Sequence, residues 1–176
     1  MDNDKHGFRI RILGAEDAAA FRQLRGERLV SEPRAFGESP AEHEARPLES
    51  FRKKLAETKD DDFVLGAFDG DRLIGAAGFA RIQRLKRRHK GGVWGMFVIP
   101  EYRRRGIARA LLEALLERVR KLPDLRLVEL SVTVEPARKL YESLGFIAWG
   151  REPASLWLDG EFIDEDHMVL DLRQKA

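Results

Sequence analysis

Residues 93–122 read VWGMFVIPEYRRRGIARALLEALLERVRKL, and this stretch decides the fold. Val93 to Val98 are apolar and end at Ile99-Pro100, which predicts a strand. Gly95 inside it predicts a bulge, which breaks pairing and frees backbone groups for a ligand. Farther on, Ile107, Leu111, Leu115 and Val119 recur along one stripe, which predicts an amphipathic helix. Between strand and helix lies the turn Arg103-Arg104-Arg105-Gly106. A helix that opens on such a turn presents backbone N–H groups with no intrahelical partner, and the macrodipole adds positive potential there. That end of a helix binds anions. Gly106 lets a ligand approach the backbone closely, and Ala108 keeps the next turn free of bulk. The pieces predict a pyrophosphate seat, with the preceding strand guiding whatever hangs from the phosphates. A plain solvated basic turn is the competing reading of the three arginines.

Working outward, Phe8 to Leu13 alternates as a first strand. A helix follows from Glu16 or Asp17 to about Val30. Ser31 to Pro40 holds two prolines and a glycine and reads as a loop. Ser39-Pro40-Ala41-Glu42 has the form of a capping box with Pro at the first helical position. After Pro47, Leu48, Phe51 and Leu55 stand at helical spacing. Asp62 to Phe68 and Leu73 to Ile82 are predicted strands joined at Asp69-Gly70, and Gly92 to Val98 is the next. Leu125 to Val132 is a further strand. Pro136 begins a short helix through Leu144, which Gly145 ends as a left-handed cap. Phe146 to Leu158 and Glu161 to Leu170 flank a second hairpin turn, Asp159-Gly160. This order of elements predicts a mixed α/β sheet covered by helices, with no repeat and no linker, so residues 1–176 are expected to form one domain.

Composition narrows the classes. The chain has 176 residues, 43% hydrophobic and 35% charged, which suits a globular protein with a sizeable core. The net charge is +2 and the pI about 9.0, a small excess of base over 30 acids that does not by itself call for nucleic acid. The absence of cysteine excludes a disulfide framework, thiolate metal sites and a Cys nucleophile. The N-terminus, MDNDKHGFRI, has no apolar signal core, and no apolar run nears membrane-spanning length. A cytoplasmic protein without membrane contact is expected. Arg84 to Lys90, RLKRRHK, is basic enough to touch phosphate. Its place between two strands predicts an exposed hairpin loop instead, and it lacks the interleaved aromatics of a single-strand binder. No spaced set of His, Asp and Glu marks a metal site.

Two blocks carry a resemblance to a known family. Arg103 through Ala108 resembles the R/Q-x-x-G-x-G/A signature of the GNAT superfamily, the acetyl-CoA-dependent N-acetyltransferases. Ala137 to Phe146, ARKLYESLGF, resembles that family's A-x-x-L-Y-x-x-x-G-F. The flanking elements match in order, so the resemblance covers most of the chain. It implies a mixed, mostly antiparallel sheet of about seven strands flanked by about four helices, with a splay between the fourth and fifth strands. It also implies acetyl-CoA as co-substrate, an amine as acceptor and no metal.

The resemblance further implies roles for residues. The backbone of Met96, Phe97 and Val98 would pair with the pantetheine amides, and an N–H there would polarise the thioester carbonyl. The loop Arg103, Arg104, Arg105, Gly106, Ile107, Ala108 and Arg109 would hold the pyrophosphate. Tyr141 would protonate the departing thiolate; packing is its competing role. Glu129 lies mid-strand on the face opposite Val128, Leu130 and Val132, where a carboxylate is costly unless paired or solvated. Its position is similar to that of the base in the ribosomal-protein N-terminal acetyltransferase branch; a solvent-facing acid is the alternative. Val134 departs from the pattern, since many relatives carry Asn there. On the acceptor side, Glu38, Glu42 and Glu44 would suit a cationic amine or form a solvated helix face, and His43 is expected at the surface. A non-catalytic acyl-CoA sensor and an RNA- or protein-binding module are the rival readings. Oligomeric state, including a homodimer, is left open.

Overall fold

The structure is a computed structural model that describes residues 7–173. Its strands are β1 (Arg9–Ile12), β2 (Asp62–Asp69), β3 (Arg72–Arg81), β4 (Lys90–Val98), β5 (Leu127–Val132), β6 (Ile147–Leu158) and β7 (Glu161–Asp171). The α-helices are α1 (Ala18–Ser31), α2 (Pro40–Ala45), α3 (Leu48–Ala56), α4 (Ile107–Val119) and α5 (Glu135–Ser143). Five α-helices among the described residues fit the expectation of about four, with Arg46-Pro47 dividing α2 from α3.

Local chemistry accounts for the boundaries. Ser39 caps α2 in a reciprocal box with Glu42, with Pro40 at the first position. The β2–β3 hairpin turns through Gly70, and the β6–β7 hairpin through Asp159 and Gly160, both left-handed as a tight hairpin demands. At Gly145, with φ +92°, the Phe146 amide reaches back to the Tyr141 carbonyl and closes α5.

One sheet runs in the order β1-β2-β3-β4-β5-β7-β6. Every neighbouring pair is antiparallel except β4 and β5, which are parallel. Helix α4 buries Ile107, Leu111, Leu115 and Val119, each at most 2% exposed, as the stripe predicts. Phe21 of α1 meets Phe51 of α3 edge to face at 6.3 Å. Among the described residues, no helix is long and apolar enough to cross a membrane.

The feature that makes a site is where β4 and β5 stop pairing. Their register covers only Lys90↔Leu127, Gly91↔Val128 and Gly92↔Glu129. Beyond that step the strands diverge. The β3–β4 register shifts by one residue near Gly95, whose φ is +63°. This is the expected bulge, and it bends β4 away from β5. The β5-facing edge of β4 from Val93 to Val98 therefore has no strand beside it.

Candidate active site

Two cavities meet in the splay. The larger, about 640 Å³, runs from Met96, Phe97 and Val98 past the Arg103–Ala108 loop to Ala137, Leu140 and Tyr141 of α5. The smaller, about 120 Å³, lies between Val93–Met96 of β4 and Leu130–Val134. Phe36, Met96, Val134, Ala137 and Tyr141 line both.

One end of the large cavity is lined by the N-terminus of α4. Gly106 is left-handed with φ +79°, no side chain caps α4, and a Cβ at Gly106 would meet nothing within 4 Å. The first amides of α4 thus face the cavity with no partner from their own helix. Arg104 is also left-handed, at φ +61°. A run of backbone N–H groups bent this way forms a concave nest for an oxyanion.

The arginines divide the work in a way the sequence alone does not reveal. Arg103 donates from Nε to the Val98 carbonyl at 3.1 Å and from Nη1 to Glu32 at 2.6 Å. It pins the loop to β4 and to the residue that follows α1. Arg105 lies over the Tyr102 ring at 4.9 Å and does not line the large cavity. Arg109 lines it while donating to Ser143 Oγ at 2.6 Å. Arg104 lines it and is exposed. Of the three adjacent arginines, Arg103 and Arg104 line the large cavity and Arg105 does not.

Tyr141 is 6% exposed, and its ring lies 5.9 Å from Phe146. Its hydroxyl makes no hydrogen bond among the described residues, so the phenol is free to serve a ligand. Burial pushes its pKa up to about 12, and it is a neutral proton donor at physiological pH. Val134 caps α5 without a side-chain hydrogen bond and lines both cavities.

Glu129 stands at the closed end of the splay. Its carboxylate pairs with the Lys90 ammonium at 2.5 Å, and it lines neither cavity. The cost of a mid-strand carboxylate is met by that partner. Two residues on, Ser131 lines the small cavity and shares a hydrogen bond of 3.0 Å with His167 Nδ1. His167 Nε2 in turn meets Glu152 at 2.9 Å. Sequence reasoning missed this array because Ser131, His167 and Glu152 come together only through the β5–β7–β6 register. Glu152, Glu165 and His167 also lie within metal-ligand reach of one another, a set invisible as sequence spacing.

The acceptor side departs from expectation. His43 is buried at 1% exposure, not at the surface. Its Nε2 bonds the Arg22 carbonyl at 2.9 Å, and its ring packs on Phe51 at 5.5 Å. Glu42 and Glu44 are exposed, as a solvated helix face would be. Glu38 is enclosed by Arg25, Arg46 and Arg28. The neighbourhood is cationic, the reverse of a trap for a cationic amine.

Comparison with known proteins agrees with this geometry. Residues 26–146 match the model of the acetyltransferase (GNAT) family. The chain belongs to the GNAT family. It is an acyltransferase by that membership. It is 26% identical over 162 residues to the L-amino acid N-acetyltransferase AaaT of Escherichia coli (strain K12), covering 91% of this chain and 95% of that one. A GNAT-family acetyltransferase structure from Streptococcus pneumoniae has a TM-score of 0.82 at 23% identity, over 93% of this chain and 98% of that one. The structure of yncA from Salmonella typhimurium, assigned as an acetyltransferase and solved with its cofactor acetyl-CoA, scores 0.78 at 20% identity over 96% of each chain. At these identities the structures support the GNAT fold.

Proposed function

We propose that this GNAT protein transfers the acetyl group of acetyl-CoA to a primary amine by direct attack on the thioester. The observation that carries the proposal is the junction of the two cavities at Tyr141. One cavity ends at the N-terminus of α4, and the other is small and lined mainly by apolar residues. The unpaired edge of β4 at Met96, Phe97 and Val98 would pair with the pantetheine amides, and the α4 amides with Gly106, Ile107, Ala108, Arg104 and Arg109 would hold the pyrophosphate.

At the junction the amine attacks the thioester carbonyl. A backbone N–H near Phe97 or Val98 stabilises the developing oxyanion, and Tyr141 gives its proton to the departing thiolate. Burial that raises the phenol pKa also raises that of a thiolate formed beside it, so donor and acceptor stay matched. Glu129, ion-paired with Lys90, would take the amine's proton through solvent. No covalent acyl-enzyme is needed. The name of the Escherichia coli relative supports a small-molecule acceptor.

The test is free-thiol release from acetyl-CoA against a panel of amines: amino acids, polyamines, aminoglycosides, peptides and lysine. Amine-dependent release is expected. Tight CoA binding with no release above hydrolysis for any amine would leave a sensor in its place. No CoA binding at all would favour a binding module working through Arg84 to Lys90.

A further inference from the structure

Ser131 of β5 lines the small cavity, as Tyr141 does. Behind Ser131 stands a chain of side chains, each from a different strand. Its Oγ lies 3.0 Å from Nδ1 of His167 on β7, and Nε2 of His167 lies 2.9 Å from a carboxylate oxygen of Glu152 on β6. Chemistry fixes the direction of these hydrogen bonds. An ionised carboxylate only accepts, so Nε2 of the neutral ring carries the hydrogen. Nδ1 then holds a lone pair and accepts the Ser131 O–H. Among the described residues Ser131 Oγ bonds His167 alone, which leaves the oxygen's own lone pairs to accept an N–H from a ligand in the cavity.

The surroundings suit an imidazolium formed at His167. Glu152 faces the ring from β6 and Glu165 from β7, and the ligand atoms of the three residues lie within 4.8 Å of one another. Ser131 faces it from β5, and the Trp149 ring of β6 lies 5.6 Å away. The cations of the adjoining elements are engaged elsewhere: Arg138 of α5 with Glu142 and Asp166, Arg151 of β6 with Asp164 and Asp166. The His167 side chain is 30% exposed and that of Glu152 51%, so a proton taken up at the cavity has a way out to water. Glu129 has no such position, since it is ion-paired with Lys90 and lines neither cavity.

We propose that Ser131 and His167 form a proton relay that is the first acceptor of the amine's proton, ahead of the solvent path to Glu129. The proposal rests on the acetyl-transfer reading above and takes the small cavity as the amine's side. The acceptor ammonium donates an N–H to Ser131 Oγ. Its proton moves to Oγ as the Ser131 proton moves to Nδ1. This leaves a neutral amine, an intact serine hydroxyl and an imidazolium paired with Glu152. No bond to carbon forms or breaks in the step, and Ser131 is not acylated. The imidazolium then gives up a proton to water beside Glu152, and the neutral ring returns to its starting tautomer by passing the Nδ1 proton back to Ser131 Oγ when the serine gives its own to the next water. The amine's freed lone pair attacks the thioester while Tyr141 serves the thiolate, so base and acid are separate groups at one cavity.

The experiment follows thiol release with the best amine of the panel in the wild type, Ser131→Ala, Ser131→Thr, His167→Gln and His167→Ala. In Ser131→Ala and His167→Gln, kcat is expected to fall by about 10²-fold or more, with acetyl-CoA affinity within about twofold by calorimetry. Ser131→Thr keeps the hydroxyl and should keep most of the rate. Free imidazole should restore turnover to His167→Ala, increasingly as pH rises and more of the added imidazole is neutral, and should do nothing for the wild type. Wild-type kcat in His167→Gln would overturn the proposal and leave acetyl transfer intact. So would a loss of rate that imidazole does not reverse, the mark of a histidine that only braces the strands. Wild-type turnover abolished by EDTA and restored by Zn²⁺ would overturn it too, because Nε2 would then be a metal ligand and not a donor to Glu152. Failure of every amine with the wild type would remove the underlying reading as well.

Discussion

Tyr141 joins the two halves of the site because one side chain reaches both cavities. Replacing it by Phe removes the hydroxyl that we propose donates the proton and keeps the packing on Phe146. We expect kcat to fall by about 10²–10⁴-fold, with acetyl-CoA affinity within about twofold by calorimetry, because protonation matters only along the reaction path. A variant with wild-type kcat would reduce Tyr141 to packing. His43 makes a different single-residue prediction. Burial depresses its pKa from the ordinary 6.5, and its Nδ1 is buried without a partner. The folded protein then binds fewer protons than the unfolded chain below about pH 6.5. The stability due to neutral His43 is complete above that pH and is lost as pH falls through the native pKa. The slope reaches at most about 1.4 kcal/mol per pH unit, one proton's worth. Urea titrations from pH 7 to 5 should show it in the wild type and not in His43→Leu; equal slopes would mean that other groups carry the acid sensitivity. The placing of Tyr141 on a short helix closed by Gly145 was legible in the sequence because it stands in a contiguous block. His43 was not, because its partners Arg22 and Phe51 come from other helices and nothing at position 43 announces them.

At the scale of elements, the anion seat is a helix terminus with its caps removed. Gly106 serves twice there: it adopts φ +79°, and it leaves open space above the first turn of α4. The two roles separate with a control. Gly160, at the β6–β7 turn, has φ +88° and open space but lies outside the large cavity. Ala at either position costs roughly 1–2 kcal/mol of left-handed strain, or about 2–8 °C in Tm for a chain of this size. Only Gly106→Ala should also weaken CoA binding, by at least about tenfold, since its Cβ would stand where the proposed function brings the phosphates. Equal CoA affinity in the two variants would place the pyrophosphate elsewhere. The turn, the bulge and both hairpins were readable from sequence because each depends on glycine, proline or aspartate within a few residues. The pairing of Glu129 with Lys90 and the array from Ser131 to Glu152 were not. They are set by strand register, which local pattern does not encode.

For the whole molecule, the sheet is best seen as two halves joined by three paired steps between β4 and β5. The half from β1 to β4 carries α4 and its anion seat; the half from β5 to β7 carries α5 and Tyr141. A ligand lying in the splay completes the sheet between them, and its binding energy becomes stability of the whole fold. Saturation at a hundred times Kd adds about 2.7 kcal/mol, so acetyl-CoA should raise Tm by about 5–11 °C. The distribution of that gain is more telling than its size. On the β5-facing edge of β4 from Val93 to Val98 no strand covers the amides, whereas β5 keeps its ladder to β7 through Val132. Hydrogen exchange should therefore slow most sharply in β4 and in the first turn of α4 when acetyl-CoA is added, with little change in β6. Protection spread evenly over the chain would mean that the ligand merely suppresses global unfolding. Protection confined to α1 and α2 would put it on the other side of the molecule. Slowing in β4 and α4 together is the outcome that only a strand-like ligand ending in an anion can produce.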